Sequence, residues 1–147
     1  MPLAIDLMGH ASILKLPVMR GDFSRAGEAS SQIKSRLLQL GYSPKAIRRV
    51  AIATYEAEIN IVIHSLGGEV ETAVKKGSIL IVASDIGPGI ANIEQAMQEG
   101  FSTASQEDRQ MGFGAGMGLP NIKNCCDEFY IDSVVNEGTV IRMLIRE

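Results

Sequence analysis

The feature that most constrains this chain is the run Ile79-Leu80-Ile81-Val82-Ala83, five apolar residues without interruption, ending in Asp85 and followed by Gly87-Pro88-Gly89. A strand with one wet face would alternate apolar and polar residues, so an unbroken run belongs at a sheet centre, covered on both sides. Such a strand needs neighbours, and the sequence offers them. Glu69 to Lys75 precedes it across Lys76-Gly77, which predicts a hairpin. Phe129 to Val135 and Thr139 to Ile145 flank the turn Asn136-Glu137-Gly138, and Ile13 to Met19 alternates as a first strand would.

Helices should fill the gaps. After Gly21-Asp22, the positions Phe23, Ala26, Ser30, Ile33, Leu37 and Leu40 step by three and four, which predicts one amphipathic helix closed by Gly41. Ser43-Pro44 supplies an N-cap and a first-turn proline for a second helix, running from Lys45 to about Ser65 and broken by Gly67-Gly68. A short helix is expected from Asn92 to Gln98 and another from about Leu119 to Asp127, with a polar, lid-like segment over 102–111 between them. At 147 residues this is one domain over 13–147 with a loose leader at 1–12.

Composition narrows the functions. A net charge of -3 gives no basic footprint for nucleic acid. The stretch Met1 to Ser12 has one acid, no basic flank and no apolar run long enough for a signal peptide or a membrane span. The two cysteines, Cys125 and Cys126, are adjacent, a spacing that strains a disulfide and does not make a zinc site, so they read as small core residues in a reducing cytoplasm.

Three groups of residues carry chemistry. Glu56, Asn60 and His64 lie four apart on the second helix and stack on one face with only ~40 degrees of drift per step. Ile52, Ile59 and Ile63 flank the row, which argues against a purely solvated face. Asn60 offers a neutral oxygen to a hard cation, Glu56 can accept a proton or orient water, and His64 can reach a phosphate oxygen; an ordinary polar helix edge is the alternative. Asp85 places an acceptor-only carboxylate at the end of the core strand, suited to an amino group, with Gly87 and Gly89 opening the main chain beside it. A turn carrying Asp, Gly and Pro for conformation alone remains the competing reading. Gly112, Gly114, Gly116 and Gly118, with Met117 between the last two, precede a helix and offer bare amides to phosphates. No strand comes directly before them and no Gly-Lys-Ser/Thr follows, which excludes a Rossmann turn and a P-loop; a flexible linker is the plain alternative.

Taken in order, ExxxNxxxH at Glu56 to His64, DIGPG at Asp85 to Gly89, GFGAGMGLP at Gly112 to Pro120 and EGT at Glu137 to Thr139 resemble the boxes of the GHKL, or Bergerat-fold, ATPases. Within that superfamily, DIGPGI, GFST at Gly100 to Thr103, GAGMGLPNIK and CDEF resemble the bacterial anti-sigma-factor serine/threonine kinases. The resemblance implies an α/β two-layer sandwich with helices on one face of a mixed β-sheet. It implies ATP and Mg²⁺ as cofactors, with Asn60 holding the metal and Asp85 binding the adenine amino group. Gly87 and Gly89 would shape the base pocket, and Gly112, Gly114, Gly116, Met117 and Gly118 would wrap the phosphates. Thr139 would assist at the adenine, His64 would touch the nucleotide, and Glu56 would act as the catalytic base toward a protein serine or threonine. Implied partners are a small antagonist or STAS-type scaffold, and a sigma factor or phosphatase, with a homodimer through the first strand as a further option. The alternative is a non-catalytic, ATP-gated binding module. Two features depart from the closest switch kinases: the segment 102–111 is longer, and His64, not shared by all of them, matches the anti-sigma kinases that also sequester a sigma factor.

Overall fold

In a computed structural model the chain is described over residues 6–98 and 118–147. Five strands form one sheet in the order β1 (Ala11–Val18), β2 (Gly68–Lys75), β3 (Ser78–Ile86), β5 (Gly138–Arg146), β4 (Glu128–Val134). Among the described residues four α-helices accompany it: α1 (Glu28–Gln39), α2 (Pro44–His64), α3 (Ile93–Ala96) and α4 (Gly118–Cys125). All four strand pairings are antiparallel. The expected sandwich is present, and the mixed sheet is corrected. Both hairpins are antiparallel by construction, and β5 inserts beside β3 running against it, so β3 and β4 run in the same direction without touching.

The uninterrupted run in β3 is explained by two buried faces. On one, Ile79, Ile81 and Ala83 join Val70, Ile141, Met143 and Ile145 against Ile33 and Leu37 of α1, Val50, Ala53, Ala57 and Ile61 of α2, and Ile122 of α4. On the other, Leu80 and Val82 join Ala73, Val140 and Leu144. Each fully buried Ile or Leu contributes roughly 1.5–3 kcal/mol relative to exposure.

That second face is covered by the beginning of the chain. Leu7 and Met8 pack on it, His10 Nε2 lies 2.8 Å from Ser78 Oγ, and Asp6 is 3.9 Å from Arg142 on β5. Of the expected loose leader over 1–12, residues 6–10 lie on the sheet and Ala11 and Ser12 belong to β1, while 1–5 lie outside the described residues. Apolar Leu7 and Met8 supply the reason, since the strip they cover would otherwise face water.

The helix expected from Phe23 is also corrected. Phe23–Arg25 makes a 3₁₀ turn, Ala26 is extended, and Gly27 sits at φ 95° before α1 begins. Only glycine takes that left-handed conformation cheaply, and it breaks the helical path. Gly27 has no side chain to cap α1. Glu58, on α2 and 3% exposed, does so from a distance, accepting the amides of Ala29 at 3.1 Å and Ser30 at 3.3 Å. Glu58→Ala would strand two amides in the core, and a loss of about 2–4 kcal/mol is expected in urea unfolding, with Glu58→Gln losing less.

The other boundaries follow the sequence closely. Ser43 Oγ accepts the Ala46 amide at 3.2 Å at the start of α2, with Pro44 at its first position. α3 is shorter than expected and is capped by Asn92, whose Oδ1 accepts the Gln95 amide at 3.0 Å. Cys125 and Cys126 are free, half-buried thiols against the core, and burial pushes Cys126 up to about 12, which leaves it unreactive near neutral pH. No helix among the described residues is long and apolar enough to cross a membrane.

Candidate nucleotide site

α2 buries Val50, Ala53, Ala57 and Ile61 against the sheet, which turns its Glu56 and Asn60 edge toward α4. Glu56 is half-buried there; desolvation raises its pKa, and a hydrogen bond from the Asn121 side chain pulls the other way. Asn60 lies one turn on, against the first residue of α4: a Cβ on Gly118 would stand 3.1 Å from Asn60 Oδ1. His64 is the half-buried last residue of α2. Of the flanking isoleucines, Ile59 is buried and Ile63 half-buried, but Ile52 is 44% exposed. The three residues of the row are thus all half-buried, with the apolar flank open at Ile52.

The end of α2 meets the end of β3. Leu66 donates its amide to Ile86 O at 2.8 Å and Ile86 donates to Gly67 O at 3.0 Å, while Gly87 lies against Ser65. On the other side Gly87 donates to Glu137 O at 3.2 Å, Asn136 donates to Pro88 O at 2.9 Å, and Gly89 lies against Val134. The DIGPG segment is thus clamped between the α2–β2 corner and the β4–β5 hairpin.

Asp85 faces Thr139 across the β3–β5 register, and its Oδ1 accepts the Thr139 amide at 3.3 Å. Desolvation pushes its carboxyl up to about 6, opposed only by that one backbone bond. Thr139 is buried, and its hydroxyl is 2.8 Å from Ser133 Oγ. Asn121 and Ser133 were not singled out in the sequence. Ser133 had a visible signal: Phe129 and Ile131 point to the core from β4, and Ser133 is the next residue on that face.

The structure therefore brings Glu56, Asn60 and Gly118 together on the α2–α4 seam, and Asp85, Thr139, Gly87 and Gly89 together at the end of β3. Gly112, Gly114, Gly116, Met117 and the lid-like 102–111 lie outside the described residues. Two observations fit an adenine nucleotide. A half-buried carboxylate at the end of β3, held by the Thr139 amide, has room for a further N–H donor, and an amino group is one. The side-chain amide of Asn60 leaves no room for a side chain at Gly118, so a neutral oxygen and the first residue of α4 lie side by side. Among the described residues no group of three or more His, Cys, Asp or Glu could hold a metal. Mg²⁺ usually keeps several waters and takes other oxygens from phosphates, so a single side-chain oxygen such as that of Asn60 would suit it. Gly118→Ala is expected to displace Asn60 and to weaken Mg²⁺-dependent nucleotide binding about tenfold by calorimetry, with a smaller effect when the metal is chelated.

The histidine kinase-like ATPase domain family matches residues 21–145, and the chain belongs to that family. It is 34% identical over 110 residues to serine/threonine-protein kinase RsbT of Bacillus subtilis (strain 168), covering 72% of this chain and 77% of that protein. It is 32% identical over 110 residues to anti-sigma F factor of Thermoanaerobacter sp. (strain X514), covering 71% of this chain and 73% of that protein. Among solved structures, the SiaB-SiaC complex from Pseudomonas aeruginosa contains a chain of the same fold, with a TM-score of 0.63 and 13% identity over 92% of this chain and 90% of that one.

Proposed function

We propose that this protein is an ATP-dependent serine/threonine protein kinase and anti-sigma regulatory factor, phosphorylating a small antagonist or STAS-type scaffold protein in the cytoplasm, with a sigma factor or phosphatase as a second partner. The observation that carries the reading is the seam between α2 and α4, where a half-buried carboxylate of raised pKa stands one helical turn from an Asn that abuts a helix N-terminus. The names carried by its relatives, a serine/threonine kinase and an anti-sigma factor, support the reading.

In this reading bound MgATP supplies the transferable γ-phosphoryl group and most of the metal's ligands. Asp85 accepts the adenine amino hydrogens and excludes a guanine carbonyl oxygen, which would face a carboxylate with no hydrogen between them. Asn60 offers its side-chain oxygen to the metal, and Gly112, Gly114, Gly116 and Gly118 offer amides to the phosphates. Glu56 takes the proton of the substrate hydroxyl. Its raised pKa makes it a stronger base than an ordinary surface carboxylate, and Asn121 holds it in place. Phosphoryl transfer depends mainly on alignment and charge neutralisation, so the base is one contributor among several.

The test is Mg²⁺-dependent ATP binding followed, in the same samples, by transfer of labelled γ-phosphate to purified STAS-type proteins. Binding together with phosphoserine or phosphothreonine is the expected result. Binding with no transfer to any partner would replace the kinase with a nucleotide-gated binding module, and no binding would end the reading.

A further inference from the structure

Three hydrogen bonds tie the segment after Asp85 to the β4–β5 hairpin. Two run between backbone groups, Gly87 to Glu137 O and Asn136 to Pro88 O. The third is different: the Ile90 amide donates to the Ser133 hydroxyl at 2.7 Å. The same oxygen lies 2.8 Å from Thr139 Oγ1 and 3.3 Å from Gly138 O. We infer that Ser133 is a positioning residue of the nucleotide site, locking the base-pocket segment to β4 and fixing the Thr139 hydroxyl beside Asp85, and thereby setting the preference for a 6-amino purine. The inference rests on the nucleotide reading given above.

The argument is one of donors and acceptors. A serine hydroxyl has one hydrogen and two lone pairs. The Ile90 amide occupies one lone pair. We assign the Ser133 hydrogen to Gly138 O rather than to Thr139 Oγ1; its second lone pair then takes the Thr139 hydrogen, which leaves Thr139 with only lone pairs to offer on the Asp85 side. Asp85 is already an acceptor there, held by the Thr139 amide. Two adjacent acceptors match the two hydrogens of an exocyclic amino group and repel a carbonyl oxygen at the same ring position. Without the Ser133 hydroxyl the Thr139 rotor is released and can turn its hydrogen to the pocket, where a carbonyl oxygen would accept it. The Ile90 amide loses its acceptor at the same time, and the segment loses that tie to the hairpin.

The experiment compares wild type, Ser133→Ala and Ser133→Thr, with three readouts: ATP affinity, ITP affinity, and hydrogen exchange of the Ile90 amide in the nucleotide-free protein. ITP carries a carbonyl oxygen where ATP carries the amino group. Ser133→Ala is expected to weaken ATP about tenfold, to narrow the ATP-to-ITP ratio about fivefold, and to speed Ile90 exchange about tenfold or more. Ser133→Thr keeps the hydroxyl and should restore all three. Unchanged ATP affinity in Ser133→Ala overturns the inference. So does an equal loss for ATP and ITP, because a general loosening of the domain would not discriminate between bases, and so does failure of the threonine to rescue. A wild type that binds neither nucleotide overturns the nucleotide reading and takes the inference with it, an outcome visible before any variant is compared.

Discussion

Replacing Glu56 by Ala is expected to reduce γ-phosphoryl transfer to the protein substrate by about 100-fold or more, while ATP affinity stays within about threefold of wild type. The split between the two readouts follows from position. Glu56 lies on the α2–α4 seam, bonded to Asn121, whereas Asp85 and Thr139 lie at the end of β3. A group that acts on the hydroxyl proton in the transition state affects turnover, and one that grips the nucleotide affects binding. Glu56→Gln is the sharper variant. It keeps the volume and can still accept from Asn121, but it cannot take a proton, so it should lose as much transfer as Ala while leaving thermal stability closer to wild type. A Glu56→Gln variant with transfer intact would show that Glu56 only orients its surroundings.

How far the sequence revealed this arrangement depends on the distance over which each feature is determined. α2 was legible because its signals are local: a serine cap, a first-turn proline and a long apolar period. The burial of β3 on both faces was legible for the same reason, since five consecutive apolar residues allow little else. The sheet's direction was not, because β3 and β5 pair across fifty residues of intervening chain and no local pattern records which way β5 enters. The packed start of the chain was missed for a related reason. Leu7 and Met8 lie in a short apolar stretch with no helix or strand period, and their destination on the far side of the sheet is a tertiary fact. The break at Gly27 was misread because the three-and-four spacing of Phe23 and Ala26 continues through it, and the tertiary cap that compensates, Glu58, lies on another helix. At the site, Glu56, Asn60 and Asp85 were visible as polar residues in apolar surroundings. Ser133 carries the same kind of anomaly on β4, but a serine amid alternating residues is quiet unless the hairpin register opposite Thr139 is drawn.

Asp85→Asn is expected to stabilise the nucleotide-free protein and to weaken ATP binding about 10- to 100-fold, the loss appropriate to a hydrogen bond on a charged, desolvated acceptor. The two effects have one cause. Burial pushes the Asp85 carboxyl up to about 6, and a carboxyl whose pKa is higher folded than unfolded prefers its neutral form in the folded state. Its contribution to stability is therefore fully present below the unfolded value near ~4 and is lost as pH rises through about 6. At neutral pH the ionised side chain is a cost, on the order of 1–2 kcal/mol after allowing for solvent screening of a partly exposed group. The neutral amide avoids that cost and removes the pH dependence. Urea titrations from pH 4 to 8 should show wild-type stability falling across pH 4 to 6 on this account, and the Asn variant should lack that part of the slope, ending several degrees higher in Tm at pH 7.5. The same carboxylate charge is what an adenine amino group would relieve, so the site is unstable in the way a binding site can use: the free energy withheld from folding is returned when the ligand donates its hydrogens. An Asn variant that was no more stable than wild type at pH 7.5 would mean that Asp85 is already satisfied without a ligand, and the adenine assignment would lose its physical basis.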